Sequence, residues 1–422
     1  MIKGFSKTIL TDGTRVISEY IPSVRSVSIG VWINVGSRDE MLDVSGVSHF
    51  IEHMHFKRTR KRTSFEIAQA LEALGGSINA FTSRENTCYY ARILNRHLPL
   101  AMDVLSDILN NSTFTPGDIK KEKQVILEEI KDVADTPAEF IHDLFSEQMW
   151  RGHSLGQPIL GGPEIIAGLK RAKVLKYIRD HYQGANIVVA AAGDVNHREL
   201  VKMVKKSFKW PSNGYVRSDD LPTPNGFTVR AYPNQTNQTQ VCLGFPSISF
   251  PDLDRYPLLA ANTLLSGGMS SRLFQSVREK AGYCYNISSF QEFFRDIGMY
   301  CVYFGSDKKY VVKATDLVLT ELRRLKDKLL TKTELSQIKE QLKGSLVLAQ
   351  ESTYNRMNRI ARQELMLDEY LDLDETIRNI DRITTRQVRN VANRVFDTTH
   401  LTFTSLGPTR KKELEDINWS IL

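Results

Sequence analysis

Three histidines and a glutamate fall within nine residues, SHFIEHMHF, near the start of the chain. On a helix, His49 and His53 are separated by four residues and stand one above the other, so both imidazoles can reach one metal ion. Glu52 lies beside His53 and can contact a water on that ion without ligating the metal itself. His55 points to a different face, and we expect it to pack or to lie at the surface.

The residues around these side chains support a helix. The order HxxEH reverses the common HExxH zincin order and is the inverzincin motif. A polar, solvent-facing helix side is the alternative interpretation of the same residues. An apolar stripe with the spacing i, i+3, i+4 and i+7 lies opposite them and consists of Val47, Phe50, Ile51 and Met54.

A catalytic zinc has three protein ligands and one open position, so two histidines need a distant partner. The stretch KEKQVILEEIKDV has a helical pattern and contains three glutamates. Glu122 and Glu129 are seven positions apart and share one face, which suits one ligand and one carboxylate that orients a histidine. Position alone does not exclude Glu128 as the ligand.

The chain also repeats itself. Gly30 and Gly244 follow similar alternating strands and are 214 positions apart, and Gly193 and Gly407 show the same separation. One offset that persists across a whole half indicates an internal duplication. At this offset the second half cannot rebuild the metal site, because His49, His53 and Glu129 correspond to Thr263, Gly267 and Lys343.

The duplication predicts two homologous domains, 1–210 and 228–422, joined by a linker at 211–227 that is rich in Pro, Gly, Asp and Ser. Each half alternates short strands with long amphipathic helices. The predicted fold class is α+β, with an antiparallel-rich sheet covered by helices in each domain. Alternating strands favour one covered face for each sheet.

Composition excludes several classes of protein. The net charge of +7 and the pI near 9.0 permit nucleic-acid binding, but no nucleic-acid-binding motif accompanies the charge, so we expect no nucleic acid as partner. No apolar run approaches the roughly 20 residues of a membrane span, and the N-terminus has no apolar signal region. Four scattered cysteines predict reduced thiols and a cytoplasmic protein.

Four motifs in a fixed order, HFIEH, GGSINAFTSRENTCYY, EKQVILEEIKDVADTP and HSLGQPILGGPE, resemble the pitrilysin/insulinase family of zinc peptidases. The chain is most similar to the bacterial processing-protease branch, which is related to the mitochondrial processing peptidase. In that family a glutamate about 76 residues beyond the second histidine completes the metal site, and Glu129 lies 76 residues after His53. The resemblance therefore implies one Zn²⁺ per chain, with Glu122 as the supporting glutamate.

The resemblance also implies an activity, a metalloendopeptidase that hydrolyses extended peptides with Glu52 as general base. Arg278 and Tyr285, in REKAGYCY, would approach the substrate from the second domain. There the arginine would hold a carbonyl or carboxylate and the tyrosine would donate to the oxyanion. A strand in GGSINAFTS would add the peptide as an extra strand, through Asn79, Ala80 and Phe81.

Relatives imply a homodimer that encloses a chamber. They usually have FKGT where this chain has FKRTRKRT, which predicts a basic rim and a preference for acidic peptides. The alternative functions are a non-catalytic scaffold subunit of the same fold and a basic nucleic-acid-binding protein.

Overall fold

The computed structural model describes residues 4–212, 217 and 221–421 of the 422-residue chain, so part of the predicted linker lies outside the described residues. The described strands are β1 (Phe5–Ile9), β2 (Arg15–Tyr20), β3 (Ser26–Ile33), β4 (Ser77–Thr82), β5 (Thr87–Leu94), β6 (Ile187–Gly193), β7 (Thr228–Pro233), β8 (Thr239–Ser247), β9 (Cys284–Phe293), β10 (Gly298–Ser306) and β11 (Thr402–Gly407).

The described α-helices are α1 (Val47–His55), α2 (Ser64–Glu72), α3 (Leu98–Asn111), α4 (Pro116–Asp135), α5 (Pro137–Met149), α6 (Pro163–Gly168), α7 (Arg171–His181), α8 (His197–Ser207), α9 (Arg255–Ser266), α10 (Val311–Asp327), α11 (Lys332–Ala349), α12 (Thr353–Leu367), α13 (Leu373–Asp381) and α14 (Thr385–Val395). A π-helical segment occupies Phe274–Lys280.

The first of two compact units contains a six-stranded sheet in the order β1-β2-β6-β3-β5-β4. β2 and β6 run parallel, and the other neighbouring pairs are antiparallel. β4 is therefore an edge strand with β5 as its partner on one side. Among the described residues no strand pairs with its other side, so that side is an open edge.

Both faces of this sheet are buried, because its central strands are apolar at nearly every position. In β6, IVVAAAG, all residues are buried. Ile187, Val189 and Ala191 face a core covered by helices α1–α4 and α6–α8. The small residues between them face a second cluster, in which α12 supplies Met357, Ile360 and Ala361. The expectation of one covered face is thus wrong for the central strands.

The second unit repeats this arrangement with five strands in the order β7-β11-β8-β10-β9. β7 and β11 run parallel, and the remaining pairs are antiparallel. One face packs against a core that includes α9, α10 and α14. The other face packs against α5, through residues such as Ile141 and Phe145.

The two halves of the sequence exchange one helix each. α5 is encoded in the first half but belongs to the second unit, and α12 is encoded in the second half but belongs to the first unit. At the offset of 214, residues 137–149 correspond to 351–363, so α5 and α12 are equivalent helices. Each covers the second face of the other half's sheet.

The predicted fold class, an antiparallel-rich sheet covered by helices and present twice, is confirmed. The predicted contiguous domains 1–210 and 228–422 stay a prediction. Each compact unit of the structure is assembled from three segments of the chain. They are 1–131, 157–220 and 349–370 in the first unit, and 132–156, 221–348 and 371–422 in the second.

The structure also bears on two expectations from composition, those about the cysteines and about membrane spans. All four cysteines lie among the described residues, and each is buried and free of a disulfide. In the part of the chain that the structure describes, no helix combines the length and the apolar character needed to cross a membrane.

The helix exchange predicts that a residue of the second half stabilises the first unit. Met357 is fully buried against the sheet of that unit. We expect Met357→Ala to destabilise the unit by about 2–5 kcal/mol, the usual cost of such a cavity. Hydrogen exchange measured by mass spectrometry should then show faster exchange in β6.

Val347→Ala, at an exposed position of α11, is the control and should leave β6 unchanged. Faster exchange confined to peptides of the second half would contradict the assignment of α12 to the first unit.

Candidate metal centre

The helix α1 buries one face and turns the other toward a cluster of polar side chains. Val47, Phe50 and Ile51 are fully buried. His49 and His53 lie on the opposite side, half-buried, with ring centroids 4.4 Å apart. The HxxEH spacing therefore brings the two imidazoles together, as the sequence predicts.

The start of α1 is fixed by a buried carboxylate. Glu40 accepts hydrogen bonds from the backbone N–H groups of Gly46 and Ser48, at 2.6 and 2.7 Å. These groups have no partner inside the helix, so Glu40 caps it. Gly46 has φ +88°, and a Cβ there would approach Leu160 O to 2.5 Å, so glycine is required. Burial raises the pKa of Glu40 to about 8.

The helix α4 supplies the distant carboxylates. Glu122 is buried and accepts a hydrogen bond from His53 Nδ1 at 2.7 Å. Two turns later, Glu129 Oε2 lies 3.8 Å from His53 Nε2. Glu128 instead faces solvent and pairs with Lys131 at 2.8 Å. The structure thus distinguishes between Glu128 and Glu129, which their positions in the sequence do not.

His49, His53 and Glu129 each offer one ligand atom, and these atoms lie within 4.8 Å of one another. Among the described residues, no other group of three His, Cys, Asp or Glu side chains meets this distance. Two imidazole nitrogens and one carboxylate oxygen are a donor set that zinc accepts at catalytic sites.

The hydrogen bonds at the site also fit a metal ion. Glu122 accepts the hydrogen bond from His53 Nδ1, and the other ring nitrogen of His53, Nε2, is directed toward Glu129. His49 Nδ1 and Glu129 Oε2 are buried atoms without a hydrogen-bond partner among the described residues. Buried polar atoms normally have a partner, and a cation between these residues would provide one for the carboxylate oxygen.

The pKa shifts of the histidines differ in direction. Burial, with a smaller effect of His53, lowers the pKa of His49 to about 3, so His49 is a neutral imidazole with a free lone pair. Burial also lowers the pKa of His53, but the hydrogen bond to Glu122 and the charge of Glu129 outweigh it, and the net pKa is raised. Burial opposes ionisation of Glu122, yet its bonds to His53 and Lys57 hold its pKa below the ordinary value.

Glu52 lies next to the ligand group without belonging to it. Its Oε2 accepts a hydrogen bond from Thr82 Oγ1 at 2.6 Å. Burial raises the pKa of Glu52 above its ordinary value, although the Thr82 hydrogen bond opposes this. One carboxylate oxygen is therefore held by Thr82, and a basic carboxylate is available beside the candidate ligands.

Thr82 is the last residue of β4, which also contains the predicted substrate contacts. Asn79 is exposed, and its Oδ1 accepts a hydrogen bond from the N–H of Ala80 at 2.8 Å. This N–H is consequently not used in pairing with β5. Phe81 packs its ring against the cluster on the α12 side of the sheet. Asn79 and Ala80 thus present polar atoms at the open edge, and Phe81 directs its ring to the core.

The basic run after α1 is largely neutralised by acidic side chains. Four of its five basic residues form ion pairs with carboxylates of α3 and α4. These pairs reduce the positive charge of the run, and the basic rim and the preference for acidic peptides stay a prediction. The pairs are Lys57 with Glu122 (2.7 Å), Arg58 with Asp118 (3.6 Å), Lys61 with Asp103 (3.7 Å), and Arg62 with Asp103 (2.5 Å) and Asp107 (2.8 Å).

His55 is buried as a packing residue, as expected. Its Nδ1 donates to Ile108 O at 2.6 Å, and its ring meets Tyr89 and Phe114 edge-on. Burial lowers its pKa to about 4. His55 is therefore a neutral core histidine outside the ligand group.

In the second unit, Arg278 and Tyr285 lie close to each other. The guanidinium carbon of Arg278 is 4.8 Å from the centroid of the Tyr285 ring and 4.5 Å from that of Phe274. Tyr285 is 71% exposed, so its ring is accessible on the surface of this unit. Such cation–π contacts hold a guanidinium in a defined place.

The second-half positions equivalent to the ligand group have structural contacts instead. Thr263 Oγ1 donates to Leu259 O at 2.9 Å within α9, and Gly267 directly follows that helix. Lys343, on α11, pairs with Glu340 and Asp381 at 2.7 and 3.0 Å. None of the three residues offers the imidazole, thiolate or carboxylate ligands of a zinc site.

Two contacts of the site were not recognised in the sequence. Thr82 bonds Glu52 from 30 positions away, and Lys57 bonds Glu122 from 65 positions away. No local spacing relates either pair, because both depend on tertiary packing. Lys57 stands at the start of the basic run, where its charge is not distinguishable from that of its neighbours.

Two family models match the chain: "Insulinase (Peptidase family M16)" over residues 15–163 and "Peptidase M16 inactive domain" over residues 168–342. An uncharacterized zinc protease of Bacillus subtilis is 39% identical over 91% of this chain and 94% of its own length. An uncharacterized zinc protease of Streptomyces coelicolor is 38% identical over 96% of this chain and 90% of its own.

Solved structures share the fold. A protease from Helicobacter pylori is similar with a TM-score of 0.89 and 22% identity, covering 97% of this chain and 100% of that chain. A protein from Pseudomonas fluorescens, described as a peptidase M16 inactive domain, has a TM-score of 0.89 and 19% identity, covering 96% and 98%.

The site and these relatives define the class of protein as a zinc-peptidase-like chain with a duplicated α+β fold. The chain belongs to peptidase family M16, the insulinase family. The resemblance to the pitrilysin/insulinase family is thereby confirmed.

The adjacent glutamates of α4 allow a matched test of the ligand group. We expect Glu129→Gln to weaken zinc binding by more than the about 10- to 100-fold that loss of an outer-shell partner costs. Glu128→Gln should leave zinc binding unchanged, because Glu128 faces solvent. Titration of the metal-free variants with zinc against a competing chelator measures both. Equal effects of the two substitutions would contradict the assignment of Glu129.

Proposed function

We propose that the chain is a zinc-dependent endopeptidase that hydrolyses extended peptides or unstructured polypeptides. The observation that carries the proposal is the group of His49, His53 and Glu129 with Glu52 beside it. The M16 membership and the zinc-protease names of the relatives support peptide hydrolysis. The single ligand group among the described residues supports one zinc ion per chain.

His49, His53 and Glu129 would hold a zinc ion, which would supply a bound water with a pKa lowered to about 7 and a Lewis acid for the peptide carbonyl. The protein supplies the remaining functions. Glu122 fixes the ring of His53 through Nδ1, so that Nε2 is the ligand atom. The neutral form of His49 keeps its lone pair available.

Glu52 is the proposed general base. Thr82 holds its Oε2, which leaves Oε1 to accept a proton from the attacking water and pass it to the leaving amine. Burial makes this carboxylate more basic than an exposed glutamate, because the pKa of Glu52 is raised. Thr82 thus orients the base, and the environment of Glu52 sets its basicity.

The open edge of β4 is the proposed place for the peptide backbone. The N–H of Ala80 now donates to Asn79 Oδ1, and a substrate carbonyl can take that acceptor position. Recognition through backbone groups requires an extended segment and depends little on side-chain identity. This favours unfolded chains as substrates, with Asn79, Ala80 and the neighbouring Phe81 as contacts.

For Arg278 and Tyr285 we propose the roles that the family resemblance implies. The arginine would hold a substrate carbonyl or carboxylate with its fork of donors. The tyrosine hydroxyl would donate to the oxyanion that forms when water attacks the amide. Their mutual contact and the exposure of Tyr285 support an accessible pair of donors.

Three further parts of the proposal do not rest on the site. A homodimer that encloses a chamber and a processing-peptidase activity rest on the resemblance, and a cytoplasmic location rests on the four scattered cysteines. The intact ligand group argues against the non-catalytic scaffold as the alternative function. The pairing of the basic run with carboxylates argues against nucleic-acid binding.

Glu52→Gln tests the proposed base. Because the amide cannot take the proton, we expect cleavage of a quenched, unstructured peptide to fall by about 10²- to 10⁴-fold. Zinc content, measured on the same samples, should stay at the wild-type level, since Glu52 is outside the ligand group. A variant that still cleaves at the wild-type rate would exclude Glu52 as base.

Thr82 tests the orientation of that base. Thr82→Val keeps the shape of the side chain but removes its donor, so we expect kcat to fall about 10-fold, the equivalent of one hydrogen bond to a charged group. KM and zinc content should change little.

Thr82→Ser retains the hydroxyl and is the matched control, for which we expect near wild-type kcat. If valine and serine at this position give the same kcat, the hydrogen bond to Glu52 has no role in the reaction.

A further inference from the structure

We propose that Lys57 is a positioning residue that holds Glu122 and thereby sets the orientation of the metal ligand His53. This inference rests on the proposed function, because it concerns the zinc site. Lys57 Nζ lies 2.7 Å from Glu122 Oε2, and His53 Nδ1 lies 2.7 Å from Glu122 Oε1. The three side chains therefore form a continuous chain of hydrogen bonds that ends at the metal site.

The burial of Glu122 makes its second donor important. Glu122 is 1% exposed, and among the described residues His53 is the donor to one of its oxygens and Lys57 the donor to the other. A buried carboxylate oxygen that loses its donor is left unsatisfied, which costs free energy. Without Lys57, the carboxylate of Glu122 is no longer held in one orientation, and the hydrogen bond that fixes the His53 ring is weakened.

The place of Lys57 in the chain allows it to tie two helices together. Its backbone N–H donates to Met54 O at 3.2 Å, which anchors it to the end of α1. Its side chain reaches α4 at Glu122. Since α1 provides both histidines and α4 provides Glu129, the Lys57 contact joins the two elements whose spacing defines the ligand group.

The neighbouring residue provides a matched control. Arg58 extends from the same loop to the same helix and pairs with Asp118 at 3.6 Å, one turn before Glu122. This pair is more exposed, and among the described residues Asp118 has no contact with a metal ligand in the hydrogen bonds and ion pairs that it forms. Any general effect of removing a cation from the loop should appear in both positions.

The experiment measures zinc affinity of the full chain, by competition with a chromogenic chelator, in Lys57→Met, Lys57→Arg, Arg58→Met and Glu122→Gln. We expect Lys57→Met and Glu122→Gln to weaken zinc binding about 10-fold or more, the effect of losing an outer-shell partner. Arg58→Met should match the wild type. Lys57→Arg, which keeps a charged donor, should retain most of the affinity.

A spectroscopic readout separates positioning from general stability. In ¹⁵N-labelled histidine spectra of the zinc-loaded protein, Lys57→Met should shift the Nδ1–H resonance of His53 and leave that of the core residue His55 unchanged. In the metal-free forms, Lys57→Met should unfold at a lower temperature than Arg58→Met, because the buried Glu122 oxygen loses its donor. An unchanged His53 resonance in zinc-loaded Lys57→Met would show that Lys57 affects stability alone and would overturn the positioning role.

Two results would overturn the inference. One is wild-type zinc affinity in Lys57→Met while Glu122→Gln is weakened. The other is equal weakening in Lys57→Met and Arg58→Met. A Glu122→Gln variant with wild-type zinc affinity would also overturn it, because Lys57 is proposed to act through Glu122. Failure of the proposed function has a different outcome, because the wild-type chain would then bind no zinc.

Discussion

The hydrogen bond between His53 and Glu122 is the interaction on which the proposed metal centre depends. The two histidines come from one helix, but the proposed carboxylate ligand, Glu129, comes from another helix, 76 residues after His53. Glu122 joins these helices at the site. The packing beneath it is apolar, since Ile126 of α4 and Phe50 of α1 are fully buried in the same core. Polar contact and apolar packing together fix the distance between the ligands.

Three glutamates surround the two histidines, and their surroundings give them different chemistry. Glu122 is buried with two donors and is held as an anion. Glu129 keeps an oxygen without a hydrogen-bond partner among the described residues. Glu52 has one oxygen held by Thr82 and a raised pKa. These differences in hydrogen bonding and desolvation are the physical basis for the proposed roles of support, ligand and base, respectively.

The sequence predicts much of the site, because a helix converts local spacing into position. The i, i+4 spacing of His49 and His53 is sufficient to bring the imidazoles together. The choice between Glu128 and Glu129 is not local, and it needed either the family resemblance or the packing of α4. The contacts of Thr82 and Lys57 depend wholly on tertiary structure, so no pattern in the sequence predicts them.

The fold shows the same limit. The offset of 214 predicts two equivalent sheets and shows that α5 and α12 are equivalent helices. It does not tell which sheet each helix covers, because an apolar helix face fits either of two homologous surfaces. Each helix covers the sheet of the other half, so each unit contains a segment from both halves of the sequence.

Anomalous diffraction from crystals of the zinc-loaded protein, recorded on both sides of the zinc absorption edge, tests the account most directly. We predict one zinc peak per chain, coordinated by His49, His53 and Glu129, with Glu52 close by and outside the coordination sphere. A peak at other residues, Glu52 or Glu128 as a ligand, or crystals of active protein without zinc at this site would contradict it.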